Sequence, residues 1–195
     1  MPFLGDLSNL KRALDLSLSS FLLAIFSLPI LLTALLVRLT SPGPVLYWSI
    51  RIGKDNQVYR MPKFRSMVIG TQAVASHLLE DPKLYLTPIG SYLRKSSIDE
   101  LPQLWCVFTG KMSLVGPRPA LYNQDDLIAL RKQAGVDSLV PGITGWAQVN
   151  GRDELSIHAK VKLDIEYLHK QSFWFDLKIL CLTILKVLKR AGITH

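Results

Sequence analysis

The sequence predicts an α/β protein that is mainly helical, in which a kinked N-terminal membrane helix precedes a small folded domain. Three observations lead to this fold class. Residues 16–37 carry no charge, residues 45–52 and 57–67 are β-like runs separated by a short turn, and the C-terminal part has amphipathic helical patterns. We therefore expect a membrane anchor at residues 1–40 and a folded domain at residues 41–195.

The composition agrees with one compact domain attached to a membrane. The chain has 195 residues and a net charge of +8, yet 49% of its residues are hydrophobic. Basic soluble domains usually have a lower apolar content, so we expect part of this surplus to face lipid. Cys106 and Cys181 lie far apart without metal-ligand neighbours, which predicts neither a disulfide framework nor a zinc site.

The uncharged run is long enough to cross a bilayer as a helix. Its 22 residues would rise about 33 Å, close to the hydrocarbon thickness. A signal peptide has a shorter apolar region and a small-residue cleavage site, and the chain has neither before Arg38. Lys11 and Arg12 precede the run, so bases flank both ends and the positive-inside tendency does not orient it.

Pro29 lies inside this run and predicts a kink, because proline removes one helical hydrogen bond. Ser27 and Thr33 are placed to bond the freed backbone groups. A kinked helix can span the bilayer or turn back to the face that it entered. The basic flanks mildly favour this second, re-entrant form, but the residues alone leave both forms open.

The folded domain begins with a predicted β-hairpin, whose turn is residues 53–56. Thr87 and Pro88 predict an N-cap and the first position of a helix that ends at Lys95. Further helices are predicted at residues 71–79, 123–134, 156–169 and 172–190. The last one opens with three aromatic residues and carries bases along one side, which is typical either of an interfacial membrane helix or of a helix packed on the core. The anchor favours the interface.

Two adjacent carboxylates, Asp99 and Glu100, are the first candidates for chemistry. Ser97 precedes Glu100 by three residues, which is the spacing of a capping box, so the pair can be a purely structural helix start. Alternatively, Asp99 is a nucleophile that a helix N-terminus keeps ionised, and Glu100 holds a divalent metal or acts as a base. Both interpretations can hold together.

Several basic residues are candidate phosphate ligands. Arg118 lies between two prolines, which suits either a bidentate phosphate clamp or a structural salt bridge. Lys63 and Arg65 alternate along a predicted strand, so we expect both to point to one face. The complete predicted set is Lys63, Arg65, Arg94, Arg118 and Arg152.

Several separate motifs occur in order along the chain. They are the hydrophobic N-terminus, Lys63-Phe64-Arg65-Ser66-Met67, Asp99-Glu100-Leu101-Pro102-Gln103-Leu104, Met112-Ser113-Leu114-Val115-Gly116-Pro117-Arg118-Pro119 and Pro141-Gly142-Ile143-Thr144-Gly145. With these motifs, residues 9–193 resemble the bacterial sugar transferase family, the small monotopic phosphoglycosyl transferases.

The resemblance implies transfer of a sugar 1-phosphate from a UDP-sugar to undecaprenyl or another polyprenyl phosphate, with release of UMP. Asp99 would form a covalent phosphosugar intermediate, Glu100 would assist it, and both would be ligands of Mg²⁺. Arg94 and Arg118 match basic residues of the family. The anchor would be re-entrant, and the catalytic domain, with its interfacial helices, would face the cytoplasm at the bacterial inner membrane. The reaction would begin synthesis of an exopolysaccharide, an O-antigen or a glycoprotein glycan.

Two positions depart from the family pattern. Leu28 stands directly before Pro29 where the family usually has serine, and Cys106 stands where asparagine is common. A non-catalytic module that binds membrane lipid through a basic face is the main alternative, but it does not explain an acidic pair among the bases. We expect no nucleic-acid partner, because the chain has no recognisable nucleic-acid module. The residues are compatible with a homodimer and do not identify the sugar.

Overall fold

The computed structural model describes residues 3–72, 74, 80–151 and 154–189. Over these residues the chain is mainly helical with two small sheets, which confirms the mainly helical class and the short hairpin. The helices are α1 (Phe3–Ile25), α2 (Ser27–Thr40), α3 (Gly90–Lys95), α4 (Leu104–Phe108), α5 (Asp125–Gln133), α6 (Trp146–Val149), α7 (Ile157–Lys170) and α8 (Phe173–Lys189). The strands are β1 (Leu46–Ile52), β2 (Val58–Phe64), β3 (Ser113–Val115) and β4 (Gly142–Thr144).

The apolar N-terminal run forms two helices, α1 and α2, which are bent by 59° at Phe26. Pro29 explains the position of the break, because it has no N–H to bond the carbonyl of Ile25 and its ring clashes with that carbonyl. Proline is tolerated in the first turn of α2, where an N–H has no helical partner. The hydroxyl of Ser27 donates to the carbonyl of Ala24 at 2.7 Å, one residue before the carbonyl that Pro29 leaves without a helical partner.

The exposed apolar surface lies mainly on α1, α2 and α8. Among the described helices none could cross a membrane by itself, whereas the bent pair formed by residues 9–25 and 27–40 has the necessary length and composition. Leu31 and Leu39 on α2 are exposed, and so are Trp174 and Ile184 on α8. The hydrophobic surplus in the composition is therefore located on these helices.

Polar residues just before the apolar run attach α1 to the rest of the chain. The Lys11 ammonium donates to the carbonyl of Val115 at 2.9 Å and forms an ion pair with Asp176. The carboxylate of Asp15, which is 7% exposed, accepts a hydrogen bond from the N–H of Leu114 at 2.9 Å. These bonds connect α1 with β3 and α8, and the proposed boundary at residue 40 stays a prediction.

The predicted hairpin is confirmed, with β1 and β2 pairing antiparallel around a turn at Lys54–Asn56. β2 ends at Phe64, three residues before the predicted end. The register places Tyr47 opposite Lys63, so Lys63 shares one face of the hairpin with Tyr47 and Arg51.

A second sheet, which the sequence did not predict, joins β3 and β4 in parallel. Three glycines allow the chains to approach at its end. A Cβ atom on Gly142 would lie 2.1 Å from the nitrogen of Gly116, and one on Gly145 would lie 2.0 Å from the carbonyl oxygen of Gly116. Only glycine fits these approaches, which hold the turn containing Arg118 against residues 141–145.

The predicted C-terminal helices are confirmed as α5, α7 and α8 with small changes at their ends. Ser156 caps α7, where its hydroxyl accepts from the N–H of Ala159 at 3.2 Å. The predicted helix start at Thr87 and Pro88 is wrong, since α3 begins at Gly90. Most of the predicted helix at residues 71–79 lies outside the described residues.

Candidate active site

The acidic pair lies in a six-residue 3₁₀ segment, Ile98–Gln103, between α3 and α4. Ser97 enters this segment with a left-handed backbone (φ 57°), and its side chain forms no capping hydrogen bond. The predicted capping box is therefore wrong. Pro102 lies inside the segment and has no N–H for a helical hydrogen bond.

Glu100 is held by two of the predicted bases. Lys63 donates from its ammonium to Glu100 Oε1 at 2.7 Å, and Arg118 Nη2 lies 3.4 Å from the same oxygen. The hairpin and the turn between two prolines thus meet at this carboxylate. Arg118 does form a salt bridge, and its side chain keeps 30% exposure, so it remains accessible to a ligand.

Asp99 is buried, with 7% of its surface exposed. Burial, together with the neighbouring Glu100 charge, raises the pKa of Asp99 to about 6, although Lys63, Arg94 and Arg118 act in the opposite direction. We had expected the field of a helix N-terminus to keep this carboxylate ionised. The 3₁₀ segment is too short and too irregular to produce such a field. The positive charges of the surrounding bases favour the ionised form instead.

Arg51 also belongs to this group of bases, although the sequence analysis did not select it. Burial and then the charge of Arg118 lower the pKa of Arg51 to about 10, so it is cationic at neutral pH. Its guanidinium donates to Ser49 Oγ at 2.9 Å and to the carbonyl of Pro119 at 3.1 Å. The alternation of Ser49 and Arg51 along β1, read with the hairpin register, could have placed it beside Lys63.

The other predicted bases differ in position. Arg94 lies close enough to Asp99 to lower the pKa of that carboxyl, and its Nη1 contacts the sulfur of Met67 at 3.3 Å. Arg65 follows the end of β2 and turns elsewhere, since its Nη2 donates to the carbonyl and hydroxyl oxygens of Ser41 at 2.8 and 2.7 Å. Lys63 and Arg65 therefore have different partners, and their common face stays a prediction. Arg152 lies outside the described residues.

Asp99 and Glu100 are the candidate donors for a metal at this site. In the part of the chain that the structure describes, no group of three or more histidine, cysteine, aspartate or glutamate side chains is placed to hold a metal ion. Mg²⁺ commonly binds through one or two carboxylates and completes its shell with substrate phosphates and water. Asp99 and Glu100 fit a metal that is bound together with a phosphate substrate.

An apolar groove opens beside the pair and encloses about 380 Å³. Glu100 and Arg118 lie at its wall, and further lining residues come from the α1–α2 break, from β4 and α6, and from α8. A buried carboxylate among several cations, next to an apolar groove, is suited to phosphate chemistry on a substrate with an apolar part.

Comparison with known proteins agrees with this chemistry. The model of the bacterial sugar transferase family matches residues 7–190, so the chain belongs to that family and is a transferase, as its motifs predicted. Over 184 residues it is 46% identical to a Bacillus subtilis protein named uncharacterized sugar transferase EpsL, covering 94% of this chain and 90% of that protein.

Two relatives carry specific names. Over 194 residues the chain is 39% identical to the UDP-glucose:undecaprenyl-phosphate glucose-1-phosphate transferase of Escherichia coli, covering 95% of this chain and 41% of the relative. Over 188 residues it is 35% identical to the UDP-N-acetylgalactosamine-undecaprenyl-phosphate N-acetylgalactosaminephosphotransferase of Aeromonas hydrophila, covering 94% and 44%. The chain therefore spans less than half the length of these two relatives.

Proposed function

We propose that this protein transfers a sugar 1-phosphate from a UDP-sugar to undecaprenyl phosphate, or another polyprenyl phosphate, and releases UMP. The Escherichia coli and Aeromonas hydrophila relatives are named for reactions of this class. The observation that supports it in this chain is the buried Asp99 next to Glu100, with Lys63 and Arg118 bound to that second carboxylate.

Asp99 acts as the nucleophile in this proposal. Its carboxylate oxygen attacks the phosphorus that carries the sugar, the bond from that phosphorus to the bridging oxygen of the diphosphate breaks, and UMP leaves with the electron pair. An acyl phosphate then links Asp99 to the sugar. In the second step, a phosphate oxygen of the polyprenyl phosphate attacks the same phosphorus, which restores the carboxylate and forms the lipid-linked diphosphate sugar.

The surrounding residues prepare Asp99 for this role. With a pKa of about 6, the carboxyl is mostly ionised at neutral pH while it remains shielded from water. Lys63, Arg94 and Arg118 offset the negative charge that the phosphate brings. Mg²⁺ held by Asp99 and Glu100 would further neutralise the diphosphate and the leaving UMP.

We also infer that α1 and α2 form a re-entrant anchor and that the folded domain lies at the cytoplasmic face of the bacterial inner membrane. The 59° bend and the exposed leucines of α2 support this placement, as do the basic residues before α1's apolar part and at Arg38. At that position the lipid product would begin the assembly of a glycoconjugate, such as an exopolysaccharide, an O-antigen or a glycoprotein glycan.

The decisive assay is UMP release. Purified protein is incubated with Mg²⁺, undecaprenyl phosphate and a panel of UDP-sugars, and the proposal predicts UMP from at least one donor. Asp99→Asn should lose this activity, whereas Asp126→Asn, an exposed carboxylate on α5, should keep it. A non-catalytic lipid-binding module would release no UMP with any donor, and both variants would bind liposomes as the unaltered protein does.

A further inference from the structure

The groove beside the acidic pair connects two different parts of the surface. One side is formed by Leu22 and Phe26, at the break between α1 and α2, and another by Thr183 and Val187 of α8. Its volume of about 380 Å³ falls within the range of ligand-binding clefts. The groove thus leads from the apolar helices to Glu100, the second carboxylate of the pair.

The walls change in character along this path. Leu104 and Val149 line the groove and are buried, at 5% and 6% exposure, whereas Val187 is 54% exposed. The groove therefore continues into the exposed apolar surface of α8 and of the anchor helices. Four charged residues, the basic Arg118 and Lys186 and the acidic Glu100 and Glu154, also line the groove, whose exposed surface is mainly apolar.

Gln148 adds a second and independent observation. Its side chain lines the groove, and both its amide nitrogen and its amide oxygen are buried without a hydrogen-bond partner in the described residues. A buried amide without partners carries a desolvation cost that a bound polar group would remove. The amide is therefore placed for a ligand whose polar end enters the groove.

We propose that this groove binds the lipid acceptor, with the polyprenyl chain leaving between Phe26 and Val187 and the phosphate held at the inner end. Arg118 supplies the charge for the phosphate, and Gln148 Nε2 donates a hydrogen bond to one of its oxygens. This proposal rests on the proposed function and specifies the acceptor part of the same site. Gln148 is then a binding residue for the acceptor phosphate, and Val187 borders the exit of its chain.

The apolar walls explain why the acceptor, and not the donor, occupies the groove. A UDP-sugar carries hydroxyl groups and a base that need hydrogen bonds, and burying them against leucine, isoleucine and valine would leave those bonds unmade. A polyprenyl chain needs none and gains from burial of its apolar surface. A membrane lipid also reaches Leu22 and Phe26 directly if α1 and α2 lie in the bilayer.

A pair of matched variants on α8 tests the route of the chain. Val187→Trp narrows the groove, while Leu185→Trp adds the same ring at a similarly exposed position that does not line it. Equilibrium binding of undecaprenyl phosphate is measured in detergent micelles without a UDP-sugar. We expect Val187→Trp to weaken binding about tenfold or more, by steric exclusion of the chain, and Leu185→Trp to leave it unchanged.

Gln148→Leu tests the phosphate contact, because it keeps the approximate size of the side chain and removes the amide. We expect about tenfold weaker binding of undecaprenyl phosphate, as for a lost hydrogen bond to a charged group, and no change in the binding of undecaprenol. Equal affinities for Val187→Trp, Gln148→Leu and the unaltered protein would overturn the proposal, and so would equal losses in Val187→Trp and Leu185→Trp.

The same variants separate this proposal from the proposed function. UMP release from UDP-sugar without lipid depends on the donor site alone. If the unaltered protein releases no UMP, with or without undecaprenyl phosphate, but binds the lipid with the predicted pattern, the proposed reaction fails and the groove assignment stands. If UMP is released normally but the lipid affinities of the variants do not show the predicted pattern, only the groove assignment fails.

Discussion

Replacing Asp99 with asparagine should stabilise the metal-free protein at alkaline pH. Burial raises the pKa of this carboxyl from 3.8 to about 6, so the folded state holds its proton more tightly than the unfolded state. Ionisation of Asp99 therefore destabilises the folded state. This destabilisation is absent below pH 3.8, grows as the pH rises to about 6, and is complete above that pH. A shift of about two units corresponds to about 3 kcal/mol.

Chemical unfolding in detergent with a chelator measures this effect. We expect the free energy of unfolding of Asp99→Asn to exceed that of the unaltered protein by up to about 3 kcal/mol at pH 8, and the difference to disappear towards pH 4. Asp126→Asn removes an exposed carboxylate and should change stability by no more than about 0.5 kcal/mol at either pH. This electrostatic account would be refuted if Asp99→Asn were less stable than the unaltered protein at pH 8, or if the difference in their free energies of unfolding did not depend on pH.

Three further changes test other contacts. Arg118→Ala should lower turnover about tenfold or more, and Arg118→Lys should recover part of it, since a lysine cannot form the bidentate fork; unchanged kinetics would make this arginine structural. Pro29→Ala restores an N–H that can bond the carbonyl of Ile25, so tags at the two termini, which the proposed re-entrant anchor places together on the cytoplasmic face, should move to opposite faces in this variant. Tyr167→Phe removes a buried hydroxyl that bonds Asp176 at 2.7 Å, and thermal unfolding should show that the free energy of unfolding falls by about 1–3 kcal/mol. An unchanged melting temperature would contradict a stabilising role for this hydrogen bond.

Local sequence patterns predicted the elements whose structure depends on neighbouring residues. Pro29 fixed the break in the apolar run, because a missing N–H acts within one helical turn. The hairpin followed from two β-like runs around a short turn. The predicted start at Thr87 failed, since a Thr-Pro pair can equally precede a turn, and α3 begins only at Gly90.

Parts of the site could not be predicted, because they depend on contacts between distant segments. The sequence indicated Lys63 and Arg118 but not that both would meet Glu100. Arg51 was missed, since its place depends on the hairpin register. Arg65 lies just after the end of β2 and bonds Ser41, a contact between distant segments that the sequence did not indicate.

The covalent step at Asp99 is the central claim, and a single-turnover experiment without lipid tests it most directly. The protein is mixed with UDP-sugar and Mg²⁺, quenched, digested and analysed by mass spectrometry while UMP is quantified. The account predicts about one UMP per active site and a sugar-phosphate adduct on the peptide containing Asp99, both absent in Asp99→Asn. UMP release that strictly requires polyprenyl phosphate, with no adduct at any time, would contradict it and indicate direct displacement.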